Sequence, residues 1–160
     1  MKKNERTKKR TLSIELTSNV LRVASHMTPN LTGEIMTTVA KSARDLNVYK
    51  IAFDAAIRIH ELTKSFPSEE KYSLTDQIRR SSRSVCANLA EGWRKKKYEA
   101  YFVNKLRDSS QEAAETQVWL DFAFRFNYLS KTTLDDLNEE YEHIFAMLMT
   151  MEKMTRIFCK

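Results

Sequence analysis

The chain has 160 residues, of which only two are glycine and two are proline. Folds built on β-strands need both residues at many turns, so this composition argues against them and favours long helices with few loops. The formal net charge is +6, and no apolar run reaches about 18 residues, so no membrane-spanning helix is predicted. Cys86 and Cys159 lie far apart without a metal-type spacing, which indicates free thiols and a cytoplasmic protein.

Positive charge is concentrated near the N-terminus. Residues 1–45 contain nine Lys or Arg against four Asp or Glu, whereas residues 46–160 contain 18 against 17. The first residues are polar and basic, and the apolar residues that follow them keep no sustained period. We therefore predict that residues 1–44 form a basic, poorly ordered or irregular N-terminal extension, and that residues 45–160 form the folded domain.

Four segments with a helical spacing of apolar residues follow one another in residues 45–160. They run over about Leu46–Lys64, Leu74–Glu91, Lys97–Phe126 and Thr132–Phe158. Pro67, Gly92 and Asn127 separate them, and we expect Gly92 to end the second helix and Asn127 the third. Asp45 is expected to cap the first helix and Ser73 the second. Because the connections are short, the pattern predicts an all-α fold, an up-down-up-down antiparallel four-helix bundle.

No enzyme motif emerges from the sequence. Phosphate-cradling loops need clustered glycines, and Gly33 and Gly92 are isolated. Di-iron sites in helical bundles need Glu-x-x-His twice, and Glu140 with His143 gives the motif once, which favours a solvated pair. We therefore predict a protein that is not an enzyme, with no catalytic residues, no metal and no cofactor.

The second helix and the loop after it carry the main candidate binding site. Seven basic residues in positions 79–97 are opposed by Glu91 alone. They are Arg79, Arg80, Arg83, Arg94, Lys95, Lys96 and Lys97. Tyr98 and Tyr101 follow, and clustered cations beside aromatic rings can hold a phosphate backbone and stack bases. Residues 94–97 alone would also fit a solvated loop, so the wider set and the basic N-terminus are what favour nucleic acid.

Two further patterns indicate packing between helices or subunits. One polar face of the second helix contains Arg80, Ser84, Asn88 and Glu91. This face is either solvated or a seam against another helix or subunit, in which Asn88 and Glu91 fix the register. The third helix carries Trp119, Phe122, Phe124 and Phe126. These aromatic residues point to different faces and cannot all enter one core, so some of them, with Trp119 as a candidate, are expected to contact a second subunit.

Six short segments between residues 45 and 130 carry a resemblance to a known family. They are Asp45–Tyr49 (DLNVY), Thr63–Pro67 (TKSFP), Leu74–Ser81 (LTDQIRRS), Asn88–Gly92 (NLAEG), Glu115–Gln117 (ETQ) and Tyr128–Ser130 (YLS). In this order they resemble the bacterial family of four-helix bundle proteins first noted as reading frames in intervening sequences of 23S rRNA genes. The chain is also similar to the accessory variability determinant protein of diversity-generating retroelements.

The resemblance implies a homo-oligomer without catalysis, typically a ring-shaped pentamer of four-helix protomers. For the retroelement branch it implies a basic helper that binds a reverse transcriptase and nucleic acid, either DNA or RNA. The net charge of +1 over residues 46–160 is lower than that branch implies. The leading hypothesis is an oligomeric nucleic-acid-binding protein whose seven basic residues contact phosphates. The alternative is a protein-interaction adaptor that does not bind nucleic acid directly. Neither hypothesis involves a membrane or a small-molecule substrate.

Overall fold

The computed structural model describes residues 40–159, which belong to one compact unit. The predicted extension therefore lies outside the described residues, apart from its last five. Within the described range the fold is all helical, without strands, as the composition predicts. Four long helices run over Asn47–Leu62 (α1), Leu74–Arg94 (α2), Glu99–Arg125 (α3) and Lys131–Lys153 (α4), and a last short helix, Thr155–Phe158 (α5), follows. Short 3-10 helices lie at Ala43–Asp45, Thr63–Ser65 and Ser68–Tyr72. All four predicted helices are present.

The helix ends show which local signals were interpreted correctly. Asn127 follows α3 with a φ of 62°, a left-handed conformation that asparagine tolerates better than most residues. The backbone N–H of Tyr128 then donates to the carbonyl oxygen of Ala123 at 2.8 Å, which closes the helix end as predicted. The prediction for Asp45 was wrong, because its carboxylate accepts the N–H groups of Lys41 and Ser42, both at 2.8 Å, and so caps the preceding 3-10 turn.

The start of α2 is also capped differently from the prediction. The Ser73 side chain makes no cap hydrogen bond. Instead the Glu70 carboxylate accepts the hydroxyl of Ser73 and, at 3.3 Å, the backbone N–H of Leu74. These hydrogen bonds, that of the Ser73 hydroxyl first, hold the pKa of the Glu70 carboxyl below its usual value.

The core lies between the four long helices. α2 contacts both α1 and α3, while α4 contacts both α3 and α1. The largest fully buried side chains come from all four: Ile59, Ile78, Val85, Leu89, Phe102, Leu106, Leu120, Leu137, Tyr141 and Ile144. Ala43 and Leu46, which precede α1, are buried against the same core.

The contact between α2 and α3 is lined by small and hydroxyl-bearing residues. The Thr116 hydroxyl donates to the Ser81 hydroxyl at 2.9 Å, and the Ser109 hydroxyl donates to the Val85 carbonyl oxygen at 3.2 Å. The prediction that Gly92 ends α2 was wrong, because α2 continues to Arg94 and Gly92 is buried within it. A Cβ atom at Gly92 would lie 2.8 Å from the Cβ of Lys105, so this glycine permits α3 to approach closely.

Candidate functional site

The seven predicted basic residues form two separate groups. Arg79, Arg80 and Arg83 lie in the first half of α2, whereas residues 94–97 lie at its end and in the loop to α3. Arg80 and Arg94 are fourteen residues apart, which corresponds to about 21 Å along a helix. The structure therefore does not bring the seven side chains together in one patch.

The first group is engaged within the bundle. The half-buried Arg79 donates from Nε to the Thr63 hydroxyl at 2.7 Å and from Nη2 to the His60 carbonyl oxygen at 3.5 Å. These acceptors lie at the C-terminal end of α1, where a cation complements the helix dipole. A guanidinium with these partners joins α1 to α2 and uses two of its five N–H donors within the chain.

The two exposed arginines of this group also have intramolecular partners. Arg80 donates to the Gln77 side chain at 2.9 Å and forms an ion pair with Glu115 of α3 at 3.6 Å. Arg83 lies 3.2 Å from Nδ1 of His60. Arg80 therefore contacts its own helix and α3, whereas Arg83 contacts α1. Only part of each guanidinium faces solvent.

The second group, Arg94–Lys97, is different, and we name it the basic loop. It joins α2 to α3 through a tight turn in which the Tyr98 N–H donates to the Lys95 carbonyl oxygen at 2.9 Å. Arg94, Lys95 and Lys97 are exposed and Lys96 is half-buried. Within residues 40–159, none of the four side chains forms an ion pair or a hydrogen bond. The basic loop thus presents four cations without a carboxylate partner in the described part of the chain.

Each lysine of the basic loop lies against its own aromatic ring. The Nζ atoms of Lys95, Lys96 and Lys97 are 4.7, 3.9 and 4.8 Å from the ring centroids of Tyr101, Trp93 and Tyr98, respectively. Such cation–π contacts contribute roughly 0.5–1 kcal/mol each at exposed sites. They favour positions of three ammonium groups close to aromatic rings around one short turn.

Trp93 packs beneath the basic loop. Its side chain is buried, its Nε1 donates to the Lys41 carbonyl oxygen at 3.4 Å, and its ring meets Phe158 at a centroid distance of 6.2 Å. The tryptophan therefore connects the basic loop to the segment before α1 and to the C-terminal helix α5. Sequence reasoning did not single out Trp93, although its position beside the four basic residues was a visible signal.

The polar residues Asn88 and Glu91 face α3 of the same chain. Lys105 of α3 donates to Asn88 Oδ1 at 3.0 Å and pairs with Glu91 at 2.8 Å and with Asp108 at 3.2 Å. The hydrogen bond to Glu91 is the largest of the effects that raise the pKa of Lys105. The polar face of α2 is thus a half-solvated contact with the next helix.

An apolar groove runs along the outer surface between α1 and α2. It is lined by Tyr49, Phe53 and Ile57 of α1 together with Ala87 and Ala90 of α2. Phe53 and Ile57 are 48% and 51% exposed, so part of the apolar surface of α1 faces outward. The sequence held a signal for this surface, because the apolar positions of α1 cover more of its circumference than one core stripe needs.

An aromatic ridge lies on α3 and continues past its end. The rings of Trp119, Phe122, Phe126 and Tyr128 follow one another at centroid distances of 5.9, 6.0 and 5.7 Å. Phe122 and Phe126 are 46% and 48% exposed, whereas Trp119 is half-buried and donates from Nε1 to Glu115 at 3.1 Å. The apolar groove and the aromatic ridge are therefore two distinct exposed hydrophobic surfaces.

Other reactive side chains have ordinary roles in the described region. Glu140 binds Arg58 of α1 at 2.5 Å, and His143 is exposed. Between residues 40 and 159 no three His, Cys, Asp or Glu side chains are grouped as a metal site. Burial raises the pKa of the Cys86 thiol to about 12, so this cysteine is a poor nucleophile at neutral pH. None of the described helices has the length and apolar character needed to cross a bilayer.

Comparison with known proteins finds a family model and solved structures that resemble this chain. Residues 44–150 match the family model described as 23S rRNA-intervening sequence protein. A solved structure from Bacteroides thetaiotaomicron VPI-5482, described as a protein of unknown function from the S23 ribosomal protein family, is 30% identical. Its match covers 66% of this chain and 95% of that chain, with a TM-score of 0.59. A search of curated proteins found no match. Because the family model spans more than half of the sequence, the chain belongs to the 23S rRNA-intervening sequence protein family.

Proposed function

We propose that this protein is a non-enzymatic, oligomeric helical bundle that binds nucleic acid through the basic loop. The observation that carries the proposal is that Arg94–Lys97 present four cations without carboxylate partners in the described region. Cations that are not neutralised within the protein are free to replace the counterions of a phosphate backbone. We assign this role to the basic loop rather than to Arg79, Arg80 and Arg83, because those three are already engaged.

The helix arrangement that we propose is the up-down-up-down antiparallel bundle. Cross-helix pairs support it, since the partner number falls as the residue number rises. Along α2, Ser81 pairs with Thr116 of α3 and Glu91 pairs with Lys105. Along α3, Arg107 pairs with Glu152 of α4 and Gln117 with Glu142. This arrangement leaves the basic loop at one end of the bundle.

The two exposed hydrophobic surfaces support assembly into a closed ring. A cyclic ring of more than two subunits needs two different surfaces on each protomer, whereas a two-fold dimer uses one surface twice. The apolar groove lies on α1 and α2 and the aromatic ridge lies on α3, so the chain offers two different apolar surfaces. We propose that the ridge of one copy enters the groove of the next, in a ring that the resemblance implies to be a pentamer.

Charge substitutions in these surfaces are expected to break the ring. Ile57→Glu in the groove and Phe122→Glu in the ridge should each give a monomer, because burying a carboxylate without a partner is costly. Light scattering after size-exclusion chromatography measures the mass. Thr132→Glu, which adds the same charge at an exposed position in α4, is the control and should keep the oligomer.

Mixing the two variants tests whether the contact joins unlike surfaces. The Ile57→Glu chain retains an intact ridge and the Phe122→Glu chain retains an intact groove. We therefore expect a one-to-one dimer from the mixture, while each variant alone stays monomeric. Oligomers of unchanged mass in both variants would contradict the proposed ring contact.

Neutralising the basic loop is expected to remove most of the nucleic-acid binding. Replacing Arg94, Lys95, Lys96 and Lys97 with glutamine should weaken binding of labelled mixed-sequence DNA and RNA more than tenfold at low salt. Because each phosphate contact contributes about 0.7–0.9 to the log–log salt slope, the slope should become shallower by up to about three. Fluorescence anisotropy over a salt series measures both quantities.

A matched variant separates the basic loop from total charge. Lys64, Lys71, Arg125 and Lys131 are exposed, and replacing these four with glutamine lowers the net charge equally. Arg125 ends α3, whose 27 residues place it about 40 Å along the helix from the basic loop. This variant should bind almost as tightly as the native chain. Equal losses in the two variants would contradict a localised site.

The second candidate function is a protein-interaction adaptor. The net charge of +1 over residues 46–160 favours it, because the basic loop is then an isolated patch on a nearly neutral protein. Such a patch fits an acidic protein surface, for example that of a reverse transcriptase. Absence of nucleic-acid binding at both low and high salt would favour this function over the first.

A further inference from the structure

The three rings of the basic loop differ in how far they are buried. Trp93 is 7% exposed and Tyr101 is half-buried, so both are largely covered by the protein. Tyr98, the residue that joins the loop to α3, is 57% exposed. In the described region Lys97 is the only residue that makes a cation–π contact with Tyr98, with its Nζ atom 4.8 Å from the ring centroid. Tyr98 is therefore a large aromatic side chain that is open to solvent and follows four cations directly in the chain.

We propose that the basic loop selects single-stranded over double-stranded nucleic acid, with an unpaired base stacked on the Tyr98 ring. This inference rests on the proposed function and adds the form of nucleic acid that the site takes. Cations alone cannot make the distinction, because both forms carry a phosphate backbone. Selection needs a group that contacts what only the single strand exposes, namely the face of a base.

The chemistry of stacking favours Tyr98 for this role. Base faces in a duplex are covered by their neighbours, whereas a single strand can turn a base outward onto an aromatic side chain. Stacking tolerates any base because every base has a π-face, so the proposed site needs no sequence preference. The ammonium group of Lys97 lies next to the Tyr98 ring. When a base stacks on that ring, this ammonium group can contact the phosphate of the same nucleotide or of the next one.

The turn that carries these groups is held in place. The N–H groups of Lys95, Lys96 and Tyr98 donate to the carbonyl oxygens of Gly92, Trp93 and Lys95 at 3.1, 3.4 and 2.9 Å. A turn fixed by its own backbone loses little conformational entropy when a ligand binds. The backbone positions from which the aromatic ring and the cations project are thus set before the nucleic acid arrives.

Substitution of Tyr98 tests the proposal. The native chain is titrated at one low salt concentration with labelled oligothymidylate, oligouridylate and a DNA hairpin whose strands are joined by a non-nucleotide linker, so that the hairpin has no unpaired base. We expect tighter binding of both single strands than of the hairpin. Tyr98→Ala should weaken single-strand binding about 5- to 100-fold, the range expected for loss of one base stack. Hairpin binding should change less than about twofold, since the four cations remain.

Two matched variants control for other effects of the change. Tyr98→Phe keeps the ring and should bind single strands like the native chain. Tyr72 is also an exposed tyrosine, 84% exposed, with a lysine, Lys71, 5.1 Å from its ring centroid. It lies before α2, at the end away from the basic loop, so Tyr72→Ala should leave all three affinities unchanged. Circular dichroism of each variant verifies the helical fold.

The outcomes separate this proposal from the proposed function. Equal affinity for single strands and hairpin, with no effect of Tyr98→Ala, overturns strand selection and leaves nucleic-acid binding by the basic loop intact. Loss of single-strand and hairpin binding to the same extent in Tyr98→Ala also overturns it, because the tyrosine would then only shape the loop. No binding of any probe by the native chain rejects both proposals together.

Discussion

Gly92→Leu is expected to lower the free energy of unfolding by about 3 kcal/mol, the upper part of the usual range for overpacking. A Cβ atom at this position would lie 2.8 Å from the Cβ of Lys105 and 3.4 Å from Cδ2 of Phe102. The Lys105 Cβ atom is bonded to the backbone and cannot move away alone, so α3 as a whole would have to shift. Urea denaturation followed by circular dichroism measures the loss.

Introducing leucine at an exposed position of α3 provides the control. Asn104 is next to Lys105 in the chain and faces solvent, so Asn104→Leu adds similar apolar bulk without a steric conflict. Its free energy of unfolding should stay within about 0.5 kcal/mol of the native value. If Gly92→Leu were as stable as Asn104→Leu, the close approach of α2 and α3 would not depend on the missing side chain.

Gly92 also shows where sequence reasoning met its limit. A lone glycine after a helical pattern usually marks the end of a helix, and the local sequence gave no reason to reject that interpretation. Gly92 lies inside α2 where a side chain would meet Lys105 and Phe102, residues on another helix. Periodicity within one segment predicts that a helix exists and which side is apolar, but not how closely a neighbour approaches. Asn127 was predicted correctly because its signal is local: a left-handed residue directly after the helix.

The candidate site divides in the same way between local and distant information. The basic loop is contiguous in sequence, and the clustering of residues 94–97 in space follows from the chain itself. Arg79 and Arg83 find their partners, Thr63 and His60, about one helix away in the chain. That pairing could not be read from charge counting, which treats every basic residue as available. The sequence therefore predicted one set of seven basic residues, whereas the structure divides them into two groups with different surroundings.

The outward position of Phe53 and Ile57 follows from a related ambiguity. Both residues fit a helical apolar pattern, and a pattern does not say whether an apolar face meets the core or a second chain. The buried residues on the other side of α1 include Val48, Ala52, Ala55 and Ile59. These side chains already provide the contribution of α1 to the core. The remaining apolar residues are the ones that we assign to contact with another copy.

Trp93→Ala is expected to cost about 3–5 kcal/mol of unfolding free energy, the range for removing a large buried aromatic side chain. The loss removes the contact with Phe158, the hydrogen bond to the Lys41 carbonyl oxygen and the ring under Lys96. Trp93→Phe keeps an aromatic ring and loses only the Nε1–H donor, so it should retain most of the stability; urea denaturation compares both variants.

The binding of nucleic acid by these two Trp93 variants then connects the core to the basic loop. If Trp93 fixes the turn, Trp93→Phe should bind like the native chain, whereas Trp93→Ala should bind more weakly even where it is still folded, because Lys96 loses the ring that directs it. A loss of unfolding free energy below about 1 kcal/mol for Trp93→Ala would contradict the importance of this side chain for stability. Native stability is only about 5–15 kcal/mol, so a loss of the expected size is a large fraction of it. The direction of the Lys96 side chain would then depend on one buried indole, so a change in the core of this protein would also change its basic loop.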